Sequence, residues 1–513
     1  MTVSLGYVDL IVLILSVSAA IVLGLRLGGK NDSVEAFLVG NRNLPWWAIL
    51  GSIVATETST ATVLSVPGIG YGPVGMRFLQ IALGYILGRL IVVQLLLPLF
   101  FQGKLFSAYE VLNNRFGGQV KSASSLLFLV ARNLGDGLRL FLAAVVLQQL
   151  VGWNFAASAA AIGLITIVYT FLGGMRSVVW NDCIQFVVYM LGGVASIFVI
   201  VSQIPGGWGE FWEFAEAGNK LQLLQFTPDE ADERSLAFWL LTEPFSFWAG
   251  LIGGAILTLG THGTDQMMVQ RYLSARSQRD ASRAIVLSAL VVMGQFALFL
   301  FIGTQLACFY HHFPTDETSL ADGVYAHFII NHFPKDTGLI GLMLAAILAA
   351  AMSTLSSSLN ASASAVLNDF LLPWSDRRGR PISASGQLQI TRFLAVAFGV
   401  LQVGIGIVAI TFDQSVVSNA LTIAGYSAGL LLGLFLLGVL TKHVSAAAAL
   451  TGALAGLVSL LSIQFLLPVY EIKIAWPWFA AIGSSVTFAV GIAAATILPS
   501  HNQTTSEPSA HTN

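Results

Sequence analysis

The chain has 513 residues, of which 56% are hydrophobic and only 10% charged, with a formal net charge of −2. Ordinary globular domains carry about 25% charged residues, so this composition excludes a soluble enzyme, and near-neutrality argues against a nucleic-acid partner. Two cysteines, Cys183 and Cys308, both fall in or beside apolar runs and imply no disulfide framework.

A helix needs about 20 apolar residues to cross about 30 Å of hydrocarbon. Thirteen such runs are predicted, over 5–27, 45–67, 77–101, 123–151, 155–172, 178–203, 236–260, 281–309, 338–367, 388–411, 416–440, 445–467 and 475–498. The first has no basic leader and no small-residue cleavage site, which predicts a retained span rather than a removed signal peptide. Charge placement tests the series independently, because cytoplasmic loops concentrate Lys and Arg. With the N-terminus outside, alternate loops hold Arg26, Lys30 and Arg42; Lys104, Arg115 and Lys121; Arg176; Arg271, Arg276, Arg279 and Arg283; Arg377, Arg378, Arg380 and Arg392; and Lys442, which is 16 of the 24 basic residues. The loops on the other side are acidic, with "GEFWEFAE" and "TPDEADER" between Gly209 and Arg234 and "TDETSLAD" from Thr315. An outside N-terminus and a cytoplasmic C-terminus follow.

Polar groups inside the bilayer are costly and mark pathways or sites. The second run, "WWAILGSIVATETSTATVLSVPGIGYGPVG", has at its centre "ATETSTAT", Ala55 to Thr62, with one acidic residue and five hydroxyls among eight residues. Threonine hydroxyls compete for backbone carbonyls, so the run predicts an interrupted helix, tolerated at that depth only where it is buried in protein or lines a cavity. In the fourth run, "ARNLGDGLRLF" puts Arg132, Asp136 and Arg139 on one helix face. Two readings stay open there: an internal salt bridge, or a positive charge left over for bidentate capture of a carboxylate.

In the sixth run, Asp182 of "VVWNDC" lies six residues past Arg176, about 9 Å into the helix. An unpaired carboxylate at that depth would cost about 3 kcal/mol; an interfacial hydrogen-bonding role is the alternative. The seventh, "FWLLTEPFSFWAGLIGGAILTLGTHGTDQ", loses a backbone donor at Pro244. Phe245, Phe247 and Trp248 either stack on a ring or pack, and Asp265, Gln266, Gln270 and Arg271 at its cytoplasmic end read as a gate or structural network rather than as ligands. The ninth run carries "AAAMSTLSSSLN", Ala349 to Asn360, in which Ser353, Ser356, Ser357, Asn360 and Ser364 lie along one helix face with Thr354 on its flank. Small residues serve tight helix packing. A continuous hydroxyl stripe also supplies the oxygen ligands that a hard cation prefers.

Four stretches in order, "GNRNLPWWAILGSIVATETSTATVLSVPGIGYG", "FLGGMRSVVWNDCIQF", "GTDQMMVQRYLSA" and "AAAMSTLSSSLNASASAVLND", resemble signatures of the sodium:solute symporter family over essentially the whole chain. The resemblance implies an all-α integral membrane protein of the leucine-transporter type, with two inverted repeats of five helices behind an extra leading helix. It implies a common sodium site from the carbonyls of Ala55, Thr58 and Ala350 with the hydroxyls of Ser353 and Thr354. It places a second site, found in some members, at Asp182, Ser356 and Ser357, with Ser353 shared. Substrate positions match Ser59 and Thr62, with Thr56, Glu57 and Gln80 nearby and Arg132, Asp136 and Arg139 as candidates. Glu57 is unusual beside relatives and points toward an amine or a hydroxyl-rich group, so a zwitterion or sugar acid, a carboxylate, an amino acid or a sugar all stay open.

The implied organisation is a leading helix and cytoplasmic loop (1–44), a first repeat (45–203), an extracellular acidic loop (204–235), a second repeat (236–440), two closing helices (441–498) and a polar, disordered cytoplasmic tail (499–513). The expected protein is a plasma-membrane symporter in the lipid bilayer, acting as a monomer on a small-molecule solute, with sodium as coupling ion and no other cofactor. One charge crossing 100 mV yields about 2.3 kcal/mol and a tenfold gradient adds about 1.4, so one ion supports roughly 500-fold accumulation of a neutral solute and two support about 10⁵-fold. A proton-coupled carrier titrating Glu57 or Asp182 is the alternative. H-E-x-x-H does not occur, and G-x-S-x-G occurs once, at Gly425–Gly429, inside the apolar run 416–440 rather than on a strand-to-helix turn, so no hydrolase constellation competes.

Overall fold

The computed structural model describes residues 6–29, 33–103, 105–230, 232–315, 323–411 and 416–498. Lys30, Lys104, the acidic stretch 316–322 and the tail 499–513 lie outside the described residues. The architecture is helical throughout. The leading helix α1 (Tyr7–Gly28) begins with a buried Asp9, whose carboxylate accepts from the backbone N–H of Asp336 at 2.8 Å and of Gly341 at 3.3 Å.

The second run is broken as its hydroxyls predict. Helix α2 (Trp46–Glu57) and helix α3 (Thr60–Tyr71) meet at 63°, with Thr58 and Ser59 extended between them. Helix α4 (Gly75–Phe100) and helix α5 (Gly118–Val151) follow. Helix α6 (Phe155–Gln203) is hydrogen-bonded over 49 residues, about 74 Å at 1.5 Å per residue, too long for one crossing. Gly174, at φ 55° and ψ −167°, turns it between the two expected runs, in a conformation that only glycine adopts freely.

The acidic loop is partly helical, contrary to expectation: α7 (Gly207–Ala217) buries Phe211 and Ala215 and brings Trp208 and Trp212 against Phe301. Their spacing of three and four residues is a helical apolar stripe, hidden in the sequence by interleaved glutamates. The seventh run is also broken. Helix α8 (Leu236–Thr242) stops before Pro244, and the chain resumes as α9 (249–263). The short α10 (Gln266–Leu273) leads to α11 (Gln278–His312), α12 (Val324–His332) and α13 (Leu339–Arg377). Helices α14 (Ala384–Val408), α15 (Val416–Leu440), α16 (Ala446–Tyr470) and α17 (Trp478–Ile497) complete the chain.

Among the described residues nine helices, or ten with the bent pair α2 and α3, are long and apolar enough to cross a membrane. Thirteen is therefore not the count that length and apolarity give. Two expected runs are continuous in α6, the seventh is divided between α8 and α9, and the long α5 carries Lys121, Arg132, Asp136 and Arg139. At the centre stands α13, nearly all of whose first 28 residues are buried; it packs on α6, α5, α2 and α14. A helix built of alanine, serine and leucine on every side fits only a protein interior. Elsewhere glycines set the closest crossing: a Cβ on Gly303 would lie 2.0 Å from the Pro67 carbonyl oxygen, and one on Gly70 2.3 Å from that of Leu300, so α3 and α11 touch backbone to backbone.

Candidate functional site

The break after Glu57 faces the hydroxyl stripe of α13. The Thr354 hydroxyl reaches the Thr56 carbonyl at 3.4 Å and its own helix's Ala350 carbonyl at 3.2 Å. Ala55, Thr58, Ala350, Ser353 and Thr354 are all buried. The Thr58 side chain turns outward from this group: its hydroxyl donates to the Val54 carbonyl at 2.7 Å, stands 2.8 Å from Gln295 Oε1, and receives the Tyr189 hydroxyl at 3.0 Å. That network pins the extended residue between α2 and α3.

Asp182 is fully buried and is not unpaired. Ser353 donates to its Oδ1 at 2.6 Å, Ser52 to its Oδ2 at 2.5 Å, and the Arg271 guanidinium lies 3.2 Å from Oδ2. Arg271, itself buried, also donates to the hydroxyls of Thr56, Ser357 and Ser52 and to the Met267 carbonyl. The cost of an unpaired carboxylate is thereby avoided. The cation that neutralises it comes from the segment after the seventh run, which charge counting assigns to a cytoplasmic loop. Of the hydroxyls expected beside Asp182, Ser353 and Ser357 stand in this cluster, whereas Ser356 donates to the Ser353 carbonyl at 3.1 Å.

On the other side of the break is a cavity of about 190 Å³. Thr56, Glu57, Ser59, Thr62, Arg132 and Arg139 line it, whereas Gln80 and Asp136 do not. Gln80 is occupied as a clamp: its amide nitrogen donates to the Phe245 carbonyl at 2.7 Å and its oxygen accepts from the Gln225 N–H at 2.8 Å, tying the acidic 204–235 segment to the break in the seventh run. Gly75, at φ 56°, admits the same loop, since a Cβ there would lie 2.5 Å from the Lys220 carbonyl oxygen. Phe247 packs on Phe226 with centroids 4.6 Å apart, and Phe245 on Phe78 at 5.6 Å, so these two rings are engaged in packing.

The count of two arginines against one aspartate is also corrected. Asp136 pairs with Arg139 at 2.5 Å and with Arg132 at 3.6 Å, and Asp265 supplies a second carboxylate to Arg132. Asp265 meanwhile caps α10, accepting from the Met267 N–H at 2.8 Å, and also lines the cavity. Glu57 is held by Arg89 and lies 3.6 Å from His262 Nε2. Sequence reasoning missed Arg89, His262, Gln295 and Tyr189. For Arg89 and His262 a signal existed, because each is an ionisable residue inside an apolar run. Every ionised side chain named here has an opposite charge beside it, which is how a low-dielectric interior tolerates them.

A model of the sodium:solute symporter family matches residues 37–456. The human (Homo sapiens) sodium/iodide cotransporter is 28% identical over 87% of this chain and 67% of its own length. Sodium-coupled monocarboxylate transporter 2 of Mus musculus is 30% identical over 83% of this chain and 67% of its own, and the sodium-dependent multivitamin transporter of Oryctolagus cuniculus 29% identical over 89% and 70%. Among solved structures, a Na⁺-coupled sialic acid symporter in a substrate-bound outward-open state superposes with a TM-score of 0.83 at 24% identity, over 96% of this chain and 98% of that one. A nucleobase-cation-symport-1 family transporter in a closed conformation gives 0.56 at 13%, over 91% and 95%. These likenesses show a shared fold, of the leucine-transporter type expected from the four motifs. The chain belongs to the sodium:solute symporter family and is a membrane transporter of the sodium-symport class.

Proposed function

We propose that the protein imports a small organic solute across the plasma membrane by alternating access, driven by sodium bound among Ala55, Thr58, Ala350, Ser353 and Thr354. The observation that carries this reading is the break between α2 and α3, which faces the α13 hydroxyls at Thr354 on one side and the cavity at Glu57, Ser59 and Thr62 on the other. An ion in that break and a solute in that cavity would stabilise the same backbone geometry. Such shared stabilisation is what coupling consists of.

A second ion is assigned to Asp182, Ser353 and Ser357, in exchange for Arg271. A sodium ion and the guanidinium compete for the same oxygens, so the second ion would enter only as Arg271 withdraws. The reading includes thirteen crossings with the N-terminus outside and the C-terminus cytoplasmic, inverted repeats over 45–203 and 236–440, and a monomer as the working unit. The test is uptake into proteoliposomes with and without a sodium gradient, across sugars, sugar acids, amino acids and carboxylates, with reversal potentials measured at several imposed gradients. Uptake that ignores sodium and follows pH would refute it. A ratio of one sodium per solute would remove the second site alone.

A further inference from the structure

We infer that His262 is a specificity residue of the cavity, and that the solute is a carboxylate carrying a hydroxyl group that His262 and Glu57 read while Arg139 holds the carboxylate. This rests on the transport reading above and deepens it. The charges that line or adjoin the cavity cancel: Glu57 against Arg89, Arg132 against Asp265, and Arg139 against Asp136. Recognition therefore falls to polar atoms that this pairing leaves unused. Three buried atoms qualify among the described lining residues, the Ser65 hydroxyl and two nitrogens, and it is the nitrogens that discriminate between functional groups. His262 is 2% exposed and lines the cavity; its Nδ1 lies 3.2 Å from the Thr261 hydroxyl, and its Nε2 makes no hydrogen bond. Arg139, also on the cavity wall, meets its aspartate through Nη1, and its buried Nε has no partner.

Leaving a buried polar nitrogen unsatisfied costs free energy that a bound solute recovers. The distance from His262 Nε2 to Glu57 Oε2, 3.6 Å, is too long for a good hydrogen bond. A solute hydroxyl satisfies both groups at once, donating its single proton to the carboxylate and accepting from the imidazole in the tautomer that carries its proton on Nε2. A solute carboxylate cannot take that place beside Glu57, since like charges repel. It fits Arg139, whose free Nε presents the edge of a guanidinium fork. The two orphaned nitrogens thus ask for different functional groups. The rest of the wall supplies Phe78, Tyr85, Phe296 and Trp476, an apolar surround that strengthens both polar contacts.

A site built to hydrogen-bond a hydroxyl rejects the analogue that lacks it, because the site's own groups are left unpaired. The test is sodium-driven uptake into proteoliposomes of two matched pairs of anions, lactate against propionate and glycolate against acetate. The full-length protein should favour the hydroxylated member at least about tenfold. His262→Ala should bring that ratio near one, and His262→Gln, which keeps a hydrogen-bonding pole, should restore part of it. Arg139→Ala should reduce uptake of both members together. Equal uptake of the two members by the native protein, or an unchanged ratio in a folded His262→Ala or His262→Gln variant, would overturn the inference. So would sodium-driven uptake confined to solutes without a carboxylate, which leaves symport itself intact. Absence of sodium-driven uptake for every solute would overturn both readings.

Discussion

Thr354→Ala is the cleanest perturbation of the proposed common ion site. The Thr354 hydroxyl has its neighbours at 3.2 and 3.4 Å, both backbone carbonyls, so its removal leaves no buried donor or charge stranded. Ser353→Ala differs, because the Ser353 hydroxyl also supports Asp182 at 2.6 Å. One oxygen out of about five on a monovalent cation, valued like a hydrogen bond to a charged group, is worth about 1.5 kcal/mol. The sodium concentration for half-maximal uptake should therefore rise about tenfold in Thr354→Ala and about a hundredfold in the double variant with Ser353→Ala. Melting curves in choline should move little for Thr354→Ala, since the lost bond to Ala350 is a weak back-bond within one helix, whereas the sodium-induced rise in melting temperature should shrink. Uptake against sodium concentration and melting in both salts check the two halves. A double variant with the native half-saturation would refute the ion site.

Three further outcomes follow from the geometry. Arg271→Met strands a buried Asp182 and should destabilise the protein by about 3–5 kcal/mol in choline, with part of the loss recovered in sodium; a melting deficit equal in the two salts would remove the second ion. Arg132→Ala and Asp265→Ala should each lower the melting temperature, and the double variant should lose less than their sum, a coupling read from a double-mutant cycle. Gly303→Val should prevent stable assembly of α3 on α11, because its Cβ would meet the Pro67 carbonyl at 2.0 Å, whereas Gly294→Ala, with nothing within 4 Å, should be tolerated; purification yield and melting temperature separate them.

What was legible in the sequence were features written in one stretch of chain. The hydroxyl run at Ala55–Thr62 breaks its helix, and the stripe from Ser353 to Ser364 lies on the buried stretch of α13. What was not legible were pairings between distant stretches. Glu57 and Arg89 stand 32 positions apart, Asp182 and Arg271 89, and Arg132 and Asp265 133. Nothing in local propensity says which cation will neutralise which anion. The misplacement of Arg271 shows the limit most clearly: charge alternation reads it as one more cytoplasmic cation, yet it is 1% exposed. Loop cations and interior cations look alike until the short α10 is folded against α2 and α13. Gln80 is ambiguous for a related reason, since a buried amide in a span can serve a solute or a neighbouring loop, and in this structure it bonds the loop.

The backbone contact between α3 and α11 has a mechanical consequence. Two helices that touch at Gly70 and Gly303 with no side chain between them cannot slide or roll without collision, so they travel as a single rigid body. The helical ladder between α2 and α3 is interrupted at the two extended residues Thr58 and Ser59, so a bend between these helices falls there, beside the bonds that hold Thr58 to Val54, Gln295 and Tyr189. With 12 residues, α3 is a lever about 18 Å long. A swing of about 10° at that pivot carries its far end, at Tyr71, about 3 Å, and the ring contact of Tyr71 with Tyr310 on α11, whose centroids are 6.2 Å apart, travels with it. An ion seated at that break, as proposed above, would act on the far end of the helix without touching it.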